Sequence, residues 1–289
     1  MQQKKNVFDY VIYVFLGAMV VCMLYPFWYL LVASFSDVAK VNASGGMMLW
    51  PQGFTLENYK IALGNESVRS GFINSVIIVV VGTALNLFFT TISAYALSRK
   101  WLFGRKQLMI FVSITMFVGG GFLPTYLIVR GLGLYNTWFA LWLPGLIATW
   151  NMIMMRTYFQ QMPEALEESA KIDGANDWQV LWHIILPMSK PMLAVMTLFY
   201  AVAIWNSWFS AAIFLEDRTL YPLQLVMRDI LITQNASSLM SAGEGGSKPE
   251  IAKTLKYAVA FIGTAPILIV YPFVQKYFEK GVMLGSLKE

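Results

Sequence analysis

Apolar residues fall along this chain in six long blocks, residues 7–35, 72–97, 108–129, 135–158, 191–215 and 255–278, separated by stretches where charge, glycine and proline collect. Each block is long enough to cross about 30 Å of hydrocarbon at about 1.5 Å per helical residue, and a helix satisfies its own backbone in lipid. The pattern predicts an all-α polytopic membrane protein with six transmembrane helices, forming one membrane domain over residues 1–289. An even number of spans puts both termini on one side. Lys4 and Lys5 precede the first block, Arg99, Lys100, Arg105 and Lys106 fill the second link, and Lys276, Lys280 and Lys288 end the chain. The positive-inside rule therefore predicts cytoplasmic N and C termini. Residues 36–71 and 216–254 become external loops, and residues 160–190 a cytoplasmic loop.

Composition supports the membrane reading: 57% of residues are apolar and 13% charged, against about 25% charged in soluble domains. The net charge of +5 follows from the basic bias of the inner face, and anionic headgroups account for it without a nucleic-acid ligand. The first block exceeds the h-region of a signal peptide and lacks a small-x-small cleavage site, so it reads as a retained anchor. Cys22 is the single cysteine and lies inside that block, which rules out an intrachain disulfide. No Gly-Lys pair occurs, so no phosphate loop of the G-x-x-x-x-G-K-[ST] kind exists. His183 is the only histidine and is remote in sequence from Cys22, which leaves no zinc constellation. Apart from Arg156 at the inner end of the fourth block, no buried His, Asp or Glu is found that could serve a reaction, and this argues against a membrane enzyme.

Gly119, Gly120 and Gly121, followed by Pro124, predict a bend in the third span, serving either close helix packing or gating. Asn74, Asn86, Asn151 and Asn206 are polar groups in or near spans and mark the bundle interior. In the first external loop, Gly45-Gly46 and Trp50-Pro51 mark turns, and residues 54–63 have the spacing of a short amphipathic helix with Trp50, Phe54 and Tyr59 at the interface. In the second, residues 235–249 are rich in Ser, Gly and Ala. No internal or inverted repeat is visible, which weakens a secondary-transporter reading.

Residues 163–191, PEALEESAKIDGANDWQVLWHIILPMSKP, form a polar island between two apolar blocks. Pro163 suits the first helical position, and Glu164, Glu167 and Glu168 complement the positive end of a helix dipole. Glu164 and Glu168 share a face, and Glu167 and Lys171 have the spacing of an ion pair. Asp173-Gly174 ends this helix with a left-handed glycine, and Asp177 starts a second helix that runs to Pro187. Small residues at Ala165, Ser169 and Ala170 let another surface approach closely. An amphipathic helix resting on lipid is the alternative, opposed by acidic residues that anionic lipid would repel.

Glu168-Ser169-Ala170, Gly174 six residues after the glutamate, and Ile184-x-Leu186-Pro187 ten residues after the glycine resemble the EAA motif of permease subunits in binding-protein-dependent ABC importers. Only Ser169, in place of the usual first alanine, departs from it. The stretches GGGFLPTYLIVRGLGLYNTWFALWLPG, KIDGANDW, LFYAVAIWNSWFSA and LYPLQLVMRDIL extend the resemblance over nearly the whole chain, toward the second permease of the carbohydrate-uptake (maltose-transporter) class and its oligosaccharide branch. The resemblance implies a type I ABC importer permease fold in a bacterial plasma membrane, with residues 160–190 as a coupling loop seated on an ATPase. Glu164, Ala165, Glu167, Glu168, Ala170, Asp173, Gly174, Leu186 and Pro187 then form the ATPase-coupling set. It implies no cofactor on this chain, with ATP and Mg on the partner ATPase. Its partners are a second homologous permease, an ATPase dimer, an extracytoplasmic solute-binding protein and lipid. Trp205, Asn206, Ser207 and Trp208 combine ring faces with hydrogen-bonding groups and are candidates for the substrate path. An importer of a non-sugar solute and a stand-alone channel or scaffold remain the competing readings.

Overall fold

The computed structural model describes residues 7–240 and 256–272. They form helices joined by turns and irregular links, with no strand among them. The elements are α1 (Val7–Ser34), α2 (Val38–Ala43), α3 (Glu57–Gly64), α4 (Glu66–Ser98), α5 (Arg105–Phe117), α6 (Phe122–Gly131), α7 (Phe139–Trp142), α8 (Thr149–Gln160), α9 (Glu164–Ile172), α10 (Asp177–Val180), a π turn (Leu181–Ile185), α11 (Leu186–Met188), α12 (Lys190–Trp205), α13 (Phe209–Phe214), α14 (Leu223–Met240) and α15 (Lys256–Pro272). Lys276, Lys280 and Lys288 lie outside the described residues, as do residues 241–255 and 273–278.

The six apolar blocks are not six continuous helices. Among the described residues, α1 and α4 are each long and apolar enough to cross a membrane, and there are up to four such spans if each bent pair counts as one. The pairs are α5 with α6, bent by 113°, and α10–α11 with α12, bent by 85°. The fourth block is interrupted between α7 and α8 by a turn containing Pro144-Gly145, and the fifth between α12 and α13 at Asn206–Trp208. Each break falls where glycine, proline or a self-bonding polar side chain competes with the helix.

The break at Gly119–Gly121 shows how. Gly121 takes φ +76°, which closes α5 off from α6. Pro124 lies in the first turn of α6, where its absent N–H costs no helical bond, so the glycines make the bend and the proline does not. A Cβ on Gly119 or Gly121 would meet nothing within 4 Å, so within this chain these glycines are not serving close packing.

The chain packs as two compact units, Met1–Arg69 with Val226–Ala265, and Ser70–Leu225 with Pro266–Glu289. In the first, no residue in the most apolar window of α1 is buried. The end of α1 holds the segment that follows it: buried Asn58 donates to the carbonyls of Ser34 (3.1 Å) and Ser36 (3.0 Å). Phe35 stacks on Phe54 at 5.7 Å, and Tyr29 meets Tyr257 edge-on at 5.8 Å. The expected amphipathic helix is present as α3, starting at Glu57, with Trp50 and Phe54 exposed ahead of it.

In the second unit, Asn74 donates to the carbonyls of Thr219 (2.7 Å) and Tyr221 (3.0 Å). Asn136, the one non-glycine residue at positive φ among those described, accepts from the N–H groups of Glu216 and Asp217, each at 2.9 Å. At the other end Tyr95 and Leu97 of α4, Met155 and Phe159 of α8 and Leu181 of the π turn share one apolar core. Between these ends the indole of Trp142 donates to the carbonyl of Ile78 at 3.1 Å, which brings the ring onto α4 beside Gly82. A Cβ built on Gly82 would fall 2.9 Å from both the Trp142 ring and Ile204. Gly82→Leu overfills this contact and should destabilise the chain by about 1–3 kcal/mol. Thermal unfolding in detergent checks this, and an unchanged midpoint would show that the close approach is not needed.

Candidate functional site

Residues 163–191 fold into two short helical pieces joined by a glycine turn. Pro163 is the N-cap of α9 rather than its first residue, and Glu164 opens the helix. Glu164 and Glu167 in the first turn complement the positive end of the helix. α9 ends in a Schellman motif: the N–H of Ala175 donates to Ala170 O at 2.9 Å and that of Gly174 to Lys171 O at 3.1 Å, with Gly174 at φ +85°.

The second piece begins at Asp177, as its sequence predicts. Asn176 caps α10 through a reciprocal box with Gln179, at 2.9 and 2.8 Å, and Asp177 is the first helical residue. Pro187 does not stop the helix. Its ring needs room at the carbonyl four residues back, that of His183, and the chain widens there into the π turn before continuing through α11. The stop comes at Ser189, whose hydroxyl folds back on Ile185 O at 2.6 Å.

The polar island is fastened to the spans by Arg99 at the end of α4. Arg99 and Glu167 are both buried and form a salt bridge. The same guanidinium donates to Ser98 Oγ at 2.9 Å and Phe159 O at 3.3 Å, and lies 4.7 Å from the centre of the Tyr95 ring. Lys171 joins the far side of Glu167 at 3.1 Å to Asp177 at 3.2 Å. One cation thus ties together the ends of α4 and α8 and helix α9, and a second ties α9 to α10. Partial burial alone would lower the Lys171 pKa, but its bonds to the two carboxylates outweigh this and raise it. At the rim Lys100 reaches Glu164 at 2.6 Å and holds its carboxyl below the usual carboxylate range, first through the hydrogen bond and then through charge. This pair is solvent-exposed and adds little stability.

α9 therefore has two faces. Glu167 and Ala170 point inward and are buried, which places them in the internal fastening rather than on an open surface. Ala165, Glu168, Ser169 and Ile172 are exposed at the i, i+3, i+4, i+7 spacing of one helix face. Glu164 is exposed on the rim, Asp173, Gly174 and Pro187 are exposed, and Leu186 is half-buried. Glu164 and Glu168 share the spacing of a face, yet Glu164 is taken by Lys100 while Glu168 forms no ion pair among the described residues. Sequence reasoning missed two features. It counted Arg99 only as inner-face charge, and it overlooked that Ile172 and Trp178, 86% and 55% exposed, put apolar surface beside the acidic one.

The four substrate-path candidates separate. Trp205 is buried, with its ring 6.0 Å from Phe72. Asn206 is exposed and caps its own helix through Val202 O at 2.9 Å, and Trp208 lies edge-on to Phe209 at 5.6 Å. Ser207 alone lines a cavity of about 280 Å³ inside the second unit. Ser75 and Asn86 of α4, Trp142, Asn151 of α8 and Tyr200 of α12 also line it. Of the four asparagines expected to mark the interior, Asn86 and Asn151 are buried at this cavity, Asn74 ties down a connection and Asn206 is a cap.

A family model described as a binding-protein-dependent transport system inner membrane component matches residues 4–284. The chain is 40% identical over 287 residues to the polygalacturonan/rhamnogalacturonan transport system permease protein YtcP of Bacillus subtilis (strain 168), covering 99% of each chain. It is 41% identical over 283 residues to Protein LplC of the same organism, covering 98% of this chain and 95% of the other. Among solved structures, a chain from a bacterial ABC transporter involved in the import of the acidic polysaccharide alginate aligns with a TM-score of 0.85 and 31% identity, covering 96% of this chain and 99% of that one.

Arg99→Met should cost about 3–5 kcal/mol because it leaves the Glu167 carboxylate buried without a counter-charge, and Arg99→Met with Glu167→Leu should recover most of that loss. Unfolding midpoints of the purified variants decide it. A single variant as stable as the parent would mean that the pair carries no stability.

Proposed function

The chain belongs to the family of binding-protein-dependent transport system inner membrane components, and from that premise we propose that it is a permease subunit of an ATP-driven importer of saccharides, of oligosaccharide size. It has the all-helical fold of a type I ABC importer permease, and as a transport subunit it is not itself an enzyme. The observation that carries the proposal is the extent of the similarity. It spans 99% of this chain and of a polysaccharide-transport permease, so the polar island is included along with the spans.

ATP with Mg belongs on a separate ATPase dimer, which seats the outward face of α9, with Glu168 as its charged contact and Ile172 and Trp178 as apolar ones. A second, homologous permease completes the path, and an external binding protein delivers the sugar. The apolar blocks make six spans with both termini cytoplasmic. In support, Arg99 and Lys100, the basic residues by which the inner face is recognised, are bonded to Glu167 and Glu164 of the coupling helix. Closure of the ATPase dimer displaces α9 as a rigid body. Arg99 then passes the displacement to α4 and α8, which carry Asn86 and Asn151 into the cavity.

A mild-detergent pull-down from native membrane, with mass spectrometry and an ATPase assay, tests the proposal. The expected result is recovery of a second permease and an ATPase. Recovery of a folded chain by itself would favour a stand-alone channel or scaffold. Glu168→Lys should insert normally yet lower ATPase recovery by about tenfold or more, since a charge reversed at an interface sets like charges against each other.

A further inference from the structure

We propose that the cavity lined by α4, α8 and α12 is a subsite for one sugar ring, held through hydroxyl groups and without a carboxylate. The inference rests on the importer reading and adds to it the chemistry of the group this chain accepts. At about 280 Å³ the space is smaller than the roughly 300–1,000 Å³ of sites for drug-sized ligands, and it suits one ring of an oligosaccharide rather than several.

The polar groups here divide into those already used and those on offer. Tyr200 shares its hydroxyl with Thr90 at 2.6 Å and accepts from the N–H of Ala148 at 3.2 Å, and the Trp142 indole N–H is spent on Ile78. These two side chains therefore contribute aromatic rather than hydrogen-bonding surface to the lining, the kind of surface against which the C–H side of a pyranose packs. Asn86 differs. It is 5% exposed, lines the cavity, and its Oδ1 accepts no hydrogen bond among the described residues. A buried acceptor left unpaired is costly, and a hydroxyl donor arriving in the cavity would relieve it. Asn151 and Ser207 extend the polar lining beside it.

Charge sets the class of ligand. No Lys, Arg, His, Asp or Glu is among the lining residues. A carboxylate moved into such a space loses its hydration and finds no cation to replace it, so it is disfavoured. If the imported glycan carries acid groups, as polygalacturonan does, those groups are met elsewhere in the complex, and this chain reads hydroxyls.

The test uses the whole complex with its ATPase and binding protein in proteoliposomes, and a panel of labelled gluco-, galacto- and xylo-oligosaccharides and oligogalacturonides. For the sugar that is transported, Asn86→Leu should lower uptake at subsaturating sugar about tenfold, while Asn86→Gln, which keeps a neutral amide acceptor, stays within about threefold of the parent. That contrast is what separates contact with sugar from a packing role. If Asn86→Leu complex is not recovered in parental amounts, Ser207→Ala and Asn151→Ala are read in its place, with the same direction of loss expected. Parental uptake in all the apolar variants would overturn the subsite while leaving the importer reading intact. Equal losses in Asn86→Gln and Asn86→Leu would mean that shape rather than an acceptor matters at this position, and would overturn the hydroxyl contact. Uptake of no sugar by the parent complex would overturn the importer reading and the subsite with it.

Discussion

A guanidinium buried at the end of a membrane-spanning helix cannot be left alone, and this requirement organises the working end of the protein. Arg99 takes Glu167 from α9, a carbonyl from the end of α8 and the face of Tyr95 from its own helix. Apolar residues of similar shape would hold the same elements together at least as tightly, so a buried ion pair is poor evidence for stability as such. What it fixes is register. Glu167 has one position that satisfies the charge, and this sets which face of α9 turns inward and leaves Ala165, Glu168, Ser169 and Ile172 outward.

The breaks in the apolar blocks serve the same end. A bundle of straight helices would close its interior, whereas turns at Pro144-Gly145 and Asn206–Trp208 leave room beside α4 for the cavity. Gly82 works in the opposite sense, since its bare backbone lets Trp142 lie against α4 and bound that space. The fastening and the cavity both draw on α4 and α8. A displacement applied to α9 therefore reaches the residues that line the cavity through two helices, without a flexible loop in between.

Much of this was legible in the sequence, for identifiable reasons. The apolar blocks, the dipole-matched start of α9, its glycine stop and the Glu167–Lys171 pair depend on local spacing, which sequence records directly. Which of two adjacent glutamates faces inward was not legible, because only the position of Arg99, 68 residues earlier, decides it. The asparagines were recognisable as interior groups by the cost of polar atoms in lipid, but whether each is a tie, a cap or a cavity wall depends on long-range partners. Trp205 and Trp208 look alike in sequence beside Ser207, and three-dimensional packing separates them from the cavity that Ser207 lines.

The Arg99–Glu167 pair is proposed to carry motion of α9 to α4 and α8 and so to the cavity between them. The most direct measurement is ATP hydrolysed per sugar taken up by the reconstituted complex, compared between the parent, Arg99→Glu, Glu167→Arg and the combined charge swap. Each single variant that still assembles with the ATPase should hydrolyse more ATP per sugar, and the swap should return the ratio toward the parent. Single variants that assemble and keep the parental ratio would contradict that role for the pair.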